Sequence, residues 1–268
     1  MMGAVCGDVI GSVYEFSQRK GKDFEFFRAD AKPTDDSYHT IAMAEAILTG
    51  QPYNKLLVDY FWEYPDGGYG GRFWDWAKVG GGAPYNSFGN GAAMRVSPAA
   101  WIHTTMEETL AAAVQYTEVT HNHPEGVRGA KAIAAAIFLA RQGASQPEIR
   151  SHIVCEFGYD LSLSLEEMIP SARFNETCQV TVPQALIAVL EATDFNDAIR
   201  NAIALGADSD TVAAIAGSIA EPLFGGIPDE TLDFVWGRLN GKLQNVVLAF
   251  ADKYNLSHLK KLEASLEA

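Results

Sequence analysis

Two short acidic segments, far apart in the chain, carry the residue types best suited to chemistry. Residues 34–37 read Thr-Asp-Asp-Ser, and residues 208–211 read Asp-Ser-Asp-Thr. Each segment sets two carboxylates beside hydroxyl groups, directly before an apolar run that favours a helix. Carboxylates so close together repel one another unless a positive charge lies between them. Oxygen ligands with no interleaved histidine or cysteine favour a hard divalent cation, Mg²⁺ or Mn²⁺, over zinc.

Helix capping is the alternative explanation for each acidic segment. The side chains of Thr34, Ser37 and Asp208 can accept hydrogen bonds from backbone N–H groups at a helix N-terminus. Asp36 and Asp210 are surplus to a cap, so the two segments taken together favour metal binding. We therefore expect the fold to bring both segments to one site that holds two divalent cations.

The elements that must position these segments are helical almost throughout the chain. Alanine-rich stretches such as residues 130–140 favour helix, and strict alternation of apolar and polar residues is rare. We predict an all-α fold, a compact helical bundle in which residues 1–268 form a single domain. The predicted helices cover residues 3–14, 36–49, 53–64, 91–101, 107–119, 126–142, 146–156, 182–193, 195–204, 210–223, 230–238 and 240–254, with loops at 65–85, 87–91 and 157–181.

Small residues recur at helical spacing on two of these predicted helices. Gly3, Gly7 and Gly11 share one face of the first helix, and Ala213 with Gly217 share a face of the helix after the second acidic segment. Such faces let helix backbones approach closely. We expect them to pack in the core rather than to contact a ligand.

Composition excludes several classes of protein. The formal charge of −14 disfavours a general nucleic-acid groove, although an anionic small molecule stays compatible with it. Cys6, Cys155 and Cys178 form no Cys-x-x-Cys pair, so we expect buried free thiols in a reducing compartment. No basic leader and no membrane-length apolar run is present. We expect a cytoplasmic monomer with no membrane contact.

Four stretches resemble the motifs of the ADP-ribosylglycohydrolase family, in the family's order. This family includes nitrogenase-reactivating glycohydrolases and ADP-ribosyl-acceptor hydrolases. The first stretch is the Gly-x3-Gly-Asp-x2-Gly-x3-Glu pattern of residues 3–15, and the second is Thr-Asp-Asp-Ser. The third is Gly-Asn-Gly-Ala-Ala-Met-Arg at residues 89–95, and the fourth is Gly-Ala-Asp-Ser-Asp-Thr at residues 206–211. The resemblance spans nearly the whole chain and implies an all-α fold with two metal ions at the base of a cleft.

The resemblance also implies roles for individual residues. Glu15 matches a glutamate near the family's metals and is the leading candidate for acid–base catalysis, its alternative being an ordinary helix-end acid. Asp8 is kept as a structural residue. Asp35 and Asp36 are predicted to serve both catalysis and metal binding. The implied metal ligands are Thr34, Asp35, Asp36, Asp208, Asp210 and Thr211.

The nucleotide part of the substrate is expected to contact a glycine-rich loop and a histidine. The implied substrate-binding residues are Ser87, Phe88, Gly89, Asn90, Gly91 and His121. Phe88 would stack on adenine, although a core position is its alternative. His121 is favoured over His123, and capping is the alternative for both. The nitrogenase-reactivating members carry aspartate at the position of Ser87, so an arginine-specific mechanism that relies on that acid is in doubt here.

The implied activity is a metal-dependent hydrolase that cleaves the glycosidic bond at C1″ of ADP-ribose. Its partner would be an ADP-ribosylated protein or a small ADP-ribosyl compound. The alternatives are a hydrolase of O-acetyl-ADP-ribose or of ADP-ribosylated nucleic acid, and a binding module without turnover. These motifs do not distinguish among the acceptors.

Overall fold

In a computed structural model that describes residues 1–17 and 19–265, the regular elements are all helical. Within those residues no β-strand forms, and the extended pairing is an isolated bridge between Gly89 and Thr177. The prediction of an all-α fold is confirmed. The α-helices are α1 (Met2–Gly11), α2 (Asp35–Thr49), α3 (Tyr53–Glu63), α4 (Gly71–Lys78), α5 (Gly91–Met94), α6 (Met106–Thr117), α7 (Pro124–Arg141), α8 (Gln146–Phe157), α9 (Leu165–Met168), α10 (Cys178–Leu190), α11 (Phe195–Ala204), α12 (Ser209–Leu223), α13 (Asp229–Trp236) and α14 (Gly241–Lys253), and 3-10 helices cover Ser97–Ala100 and Ser257–Ser265.

Most predicted helices agree with these bounds. The short helix α9 falls within the predicted loop at 157–181, the 3-10 helix Ser257–Ser265 follows the last predicted helix, and three further regions differ. The helix predicted over residues 91–101 divides into α5 and a 3-10 helix, because Pro98 has no N–H to donate to the carbonyl four residues earlier. Helix α4 lies in a stretch that was predicted to be a loop, since the glycines around it weaken the helical pattern. Helix α10 begins at Cys178, four residues before its predicted start, and carries Pro183 in its interior.

Helix α12 is the centre of the fold and positions the second acidic segment. Every residue from Ser209 to Glu221 is buried, which is possible because α1, α7, α10 and α11 pack around it. Its sequence is apolar on all sides, as expected of a fully enclosed helix. The acidic N-terminus of α12 is therefore held in the interior by apolar contacts along the rest of the helix.

Glycines set the distance between α1 and α12. A Cβ atom added to Gly7 would fall inside contact distance of the Ala213 carbonyl, and one added to Gly3 would strike the Gly217 carbonyl. At the end of α1, a Cβ on Gly11 would lie 2.6 Å from Asp210 Cα. The expected role of these glycines in close packing is confirmed, and it bears on the site because it sets where Asp210 lies.

The three cysteines are free, but their burial differs from expectation. Cys6 and Cys178 are buried, whereas Cys155 is exposed on α8, so the prediction of a buried thiol is wrong at that position. The hydrophobic period of α8 is weak, which is why the sequence does not indicate its outer face. Among the described residues, no helix combines the length and the apolar character that crossing a membrane requires.

Replacing Gly7 by alanine is expected to lower the free energy of unfolding by roughly 1–3 kcal/mol, the usual cost of overpacking a core. The added methyl group would force α1 away from α12. Urea denaturation followed by helical circular dichroism measures the change. Gly241→Ala is the matched control, because a Cβ there meets no atom within 4 Å. Equal stabilities for the two variants would contradict the tight contact.

Candidate active site

The fold brings the two acidic segments together at the N-termini of α2 and α12. The Oγ1 atom of Thr34 lies 3.5 Å from Asp210 Oδ2, and Thr211 Oγ1 donates a hydrogen bond of 3.3 Å to Asp36 Oδ2. Thr34 caps α2 by accepting from the Asp36 N–H, as the capping alternative supposed. Asp208 precedes α12 but makes no side-chain cap, so its carboxylate is available for another role.

Asp8 on α1 joins the cluster. Its carboxylate accepts four hydrogen bonds: from the backbone N–H and hydroxyl of Thr34, at 2.9 and 2.6 Å, and from the backbone N–H and hydroxyl of Ser37, at 3.1 Å for the N–H. These bonds hold the first acidic segment against α1. From the sequence, Asp8 was expected to be structural. The Gly-Asp pair within a helix was the feature that could have indicated its place in the cluster.

The carboxylates form two neighbouring groups that share one residue. Oxygen atoms of Asp8, Asp36 and Asp210 lie within 4.8 Å of one another, and so do oxygen atoms of Glu15, Asp208 and Asp210. Asp210 belongs to both groups. An arrangement of two carboxylate triads with a common member can hold one or two cations.

The pKa values and hydrogen bonds of these carboxylates indicate whether they suit a cation. Burial raises the pKa of Asp36 and of Asp210 well above the usual range, and repulsion from neighbouring carboxylates adds to the effect. Burial also raises the pKa of Asp208 to about 7 and that of Glu15 to about 8, the latter with repulsion from Asp210 and Asp8. The buried Oδ1 atom of Asp36 has no hydrogen-bond partner among the described residues. An oxygen-only donor set with an unsatisfied buried oxygen and excess negative charge fits a hard divalent cation.

A cavity of about 290 Å³ opens onto this cluster. Asp35, which belongs to neither triad, lines it with its pKa raised by burial and by Asp210. The other walls come from the loop over residues 87–91, the start of α4, and the segment around Glu176. The volume is near the lower end of what small-molecule sites provide.

The glycine-rich loop is tied to the acidic cluster by Asn90. Its side-chain Nδ2 donates to Asp208 Oδ2 at 2.7 Å and to Thr181 Oγ1 at 3.2 Å. Within the loop, Ser87 Oγ accepts from the Gly89 N–H at 3.1 Å. The side chains of Ser87 and Asn90 therefore shape the loop, and Gly89 with Gly91 leave its backbone open to the cavity.

The aromatic and histidine side chains near the loop differ in burial and in their hydrogen bonds. Phe88 is 39% exposed, so it does not occupy the core position that was its alternative. His121 is buried and lines the cavity. The Nδ1 atom of His123 accepts from the Glu125 N–H at 3.1 Å and caps α7. The preference for His121 over His123 agrees with this geometry.

Two nitrogen-bearing side chains of the cavity were missed in the sequence. The guanidinium of Arg95 is buried and, within the described residues, forms no ion pair with a carboxylate. His39 is buried one helical turn after Asp35, with Nδ1 at 3.9 Å from Asp35 Oδ2, and neither of its ring nitrogens makes a hydrogen bond to a described residue. Arg95 is the last residue of the Gly-Asn-Gly-Ala-Ala-Met-Arg motif, but no local sequence pattern indicates that it is buried. The cavity thus combines a carboxylate cluster with the guanidinium charge of Arg95, which pairs with no carboxylate of the described residues.

Comparison with known proteins places this architecture in a family. A sequence profile described as ADP-ribosylglycohydrolase matches residues 1–257. The chain therefore belongs to the ADP-ribosylglycohydrolase family, and the assignment made from its four motifs is confirmed. With it, the expectation of an enzyme that hydrolyses ADP-ribosyl compounds is confirmed at the level of the family.

Three relatives illustrate the similarity. The chain is 27% identical to the ADP-ribosylarginine hydrolase Tri1 of Pseudomonas putida (strain GB-1), over 91% of this chain and 75% of that protein. It is 25% identical to the ADP-ribosylhydrolase ARH3 of Mus musculus, over 84% of this chain and 82% of that protein. A solved structure titled ADP-ribosylglycohydrolase-related protein complex shares the fold, with a TM-score of 0.66, 22% identity, and coverage of 93% of this chain and 94% of that chain.

In the absence of divalent cations, the protein is expected to lose stability as pH rises from about 5 to about 8. The folded-state pKa values of Asp208 and Glu15, about 7 and about 8, lie above their ordinary values. The folded chain therefore binds more protons than the unfolded chain in this range, and the free energy of unfolding falls with rising pH. Melting temperatures in EDTA across this range measure the slope.

Asp208→Asn provides the matched variant for that experiment, because it removes one titrating group and keeps the oxygen that accepts from Asn90. Its melting temperature in EDTA should fall less steeply with pH than that of the wild type. Identical slopes would contradict the assignment of the pH dependence to this cluster.

Proposed function

We propose that this chain cleaves the bond between C1″ of ADP-ribose and an acceptor, with water as the second substrate and free ADP-ribose as the product. The acceptor is a protein side chain or a small molecule. The observation that carries the proposal is the convergence of Asp36, Asp208 and Asp210 in a cavity that also contains Arg95 and His121. Such a cavity suits a ligand with ribose hydroxyls at one end and a diphosphate at the other.

Two divalent cations, Mg²⁺ or Mn²⁺, belong to this proposal. Thr34, Asp35, Asp36, Asp208, Asp210 and Thr211 would hold them, with Asp210 as the shared ligand. When bound, the cations supply Lewis-acid polarisation of the ribose oxygens. The mutual repulsion that raises the pKa of Asp36 and Asp210 supports this assignment, since cations would remove the repulsion.

Glu15 is the proposed acid–base residue. It is half-buried at the edge of the carboxylate cluster, where burial and the nearby Asp210 raise its pKa to about 8. With the repulsion from Asp210 offset by the proposed cations, Glu15 would be ionised and could take a proton from the attacking water. The C1″–acceptor bond breaks through an oxocarbenium-like state, the water oxygen bonds to C1″, and Glu15 passes the proton that it took from the water to the leaving acceptor.

The acceptor end of the cavity is acidic. Exposed Glu176 and half-buried Glu15 both line it. These carboxylates favour a cationic acceptor, and a relative named as an ADP-ribosylarginine hydrolase points the same way. ADP-ribosyl-arginine is therefore the first acceptor to test. ADP-ribosylated nucleic acid is disfavoured as an acceptor by the charge of −14.

Glu15→Gln is expected to reduce kcat by about 100-fold or more, the lower range of what general acid–base catalysis contributes. Release of ADP-ribose from ADP-ribosyl-arginine, ADP-ribosyl-serine, O-acetyl-ADP-ribose and an ADP-ribosylated oligonucleotide measures both activity and acceptor preference. Asp252→Asn is the control, because Asp252 is an exposed carboxylate on α14.

Isothermal titration with ADP-ribose separates the enzyme from the alternatives. Binding in Mg²⁺ that disappears in EDTA supports the proposal. Binding without release from any acceptor would indicate a binding module, and the absence of binding in both buffers would refute the proposed function altogether.

A further inference from the structure

The cavity side chain His121 has its Nδ1 atom enclosed by two groups. Thr120 Oγ1 lies 2.8 Å from Nδ1, and Arg95 Nη2 lies 3.3 Å from it. Arg95 Nη2 also donates a hydrogen bond to Thr120 Oγ1. The three side chains are buried, so these contacts are shielded from competing water.

The direction of each hydrogen bond follows from the chemistry of the groups. A guanidinium donates and never accepts, so both Thr120 Oγ1 and His121 Nδ1 must act as acceptors toward Arg95. A hydroxyl that accepts from Arg95 has its own proton free to donate, and Nδ1 is the acceptor within reach. Nδ1 therefore carries no proton, and a neutral imidazole must carry its proton on Nε2.

The neutral form is the one this environment favours. Burial lowers the pKa of His121 well below its ordinary value, and the positive charges of Arg95 and Arg72 lower it further. A protonated ring would direct an Nδ1 proton at the Arg95 guanidinium, a contact between two donors. The surroundings thus select one tautomer of an uncharged ring.

The opposite edge of the ring faces the glycine-rich loop. A Cβ added to Gly91 would lie 3.1 Å from Nε2, and one added to Gly89 would lie 3.6 Å from it. Nε2 makes no hydrogen bond to another described residue, although it is not among the fully enclosed polar atoms. Its proton is therefore available to an oxygen atom in the cavity.

We propose that Arg95 and Thr120 are positioning residues that hold His121 as a neutral donor, with its Nε2 proton directed at an oxygen atom of the diphosphate. The identity of that oxygen rests on the proposed function, whereas the tautomer does not. Arg95 acts on the ring of His121 through Nη2, which contacts both Thr120 and His121, and its Cζ atom lies over the Tyr53 ring, 5.6 Å from the ring centroid. His121 thus offers the nucleotide a hydrogen bond of fixed direction, without adding a second positive charge to that of Arg95.

Nitrogen-15 NMR of the metal-free protein near neutral pH reads the tautomer directly. The wild type is expected to show His121 with the proton on Nε2, and a His121→Asn variant identifies its signals. A proton on Nδ1 in the wild type would overturn the proposal. This measurement needs no substrate, so it stands apart from the test of the proposed function.

Thr120→Val and Thr120→Ser then test the positioning role. The valine variant keeps the volume but removes the hydroxyl, so the ring loses one of the two contacts that fix its orientation. It should weaken ADP-ribose binding by about tenfold, the effect of losing one well-placed hydrogen bond, while Arg95 keeps Nδ1 an acceptor. The change should appear in KM more than in kcat, because a hydrogen bond to the diphosphate would be made equally in the ground state and in the transition state. The serine variant should restore the affinity.

Thr109→Val is the matched control, since Thr109 is also buried and its hydroxyl donates to the backbone carbonyl of Thr105, the residue before α6. It should leave the tautomer and the affinity as in the wild type. If Thr120→Val likewise leaves the affinity unchanged, Thr120 is only structural and the proposal is wrong. Failure of the wild type to bind ADP-ribose would instead refute the proposed function, and the tautomer measurement would remain valid.

Discussion

Repulsion among buried carboxylates is the constraint on which the remaining features of this molecule depend. Asp8, Asp36 and Asp210 come from three different helices and bring oxygen atoms within 4.8 Å of one another in the interior. Burial raises the pKa of all three, and repulsion from neighbouring carboxylates raises those of Asp36 and Asp210 further, so the ionised cluster is costly without compensation. Part of the compensation is internal, because Asp8 accepts four hydrogen bonds from the segment that begins α2. The cations proposed here would supply the rest.

The packing of α1 against α12 explains how such an unfavourable cluster persists. Helix α12 is buried along its length, and the glycine face of α1 allows backbone contact with it. The apolar burial and the close fit offset the strain at the acidic end. Gly11 contacts the Asp210 backbone directly, which links the packing face to the position of a proposed ligand. The packing along α1 and α12 thus stabilises a carboxylate site at one end of the helix pair that would be unfavourable by itself.

The cavity must also accommodate an anionic ligand beside its own carboxylates. Its carboxylates attract cations, yet the nucleotide that we propose is an anion, and the chain as a whole carries −14. Asn90 connects the two parts, since its amide donates to Asp208 while its backbone belongs to the loop. Buried Arg95 supplies a positive charge, and neutral His121 adds a donor without adding charge. A ligand with hydroxyls at one end and phosphates at the other would complement both parts.

Local spacing in the sequence determined the helical class, the two acidic segments and the glycine faces, because helix periodicity, capping residues and ligand spacing are properties of neighbouring residues. The order of four motifs was sufficient to indicate the family. Only the tertiary structure decided that Asp8 joins the carboxylate cluster, that His123 caps a helix while His121 faces the cavity, and that Arg95 is buried with no carboxylate partner among residues 1–17 and 19–265. The physical reason is the same in each case: hydrogen-bond partners and burial depend on contacts between residues distant in the chain, such as Asp8 with Thr34 and Asn90 with Asp208, and no local pattern specifies them.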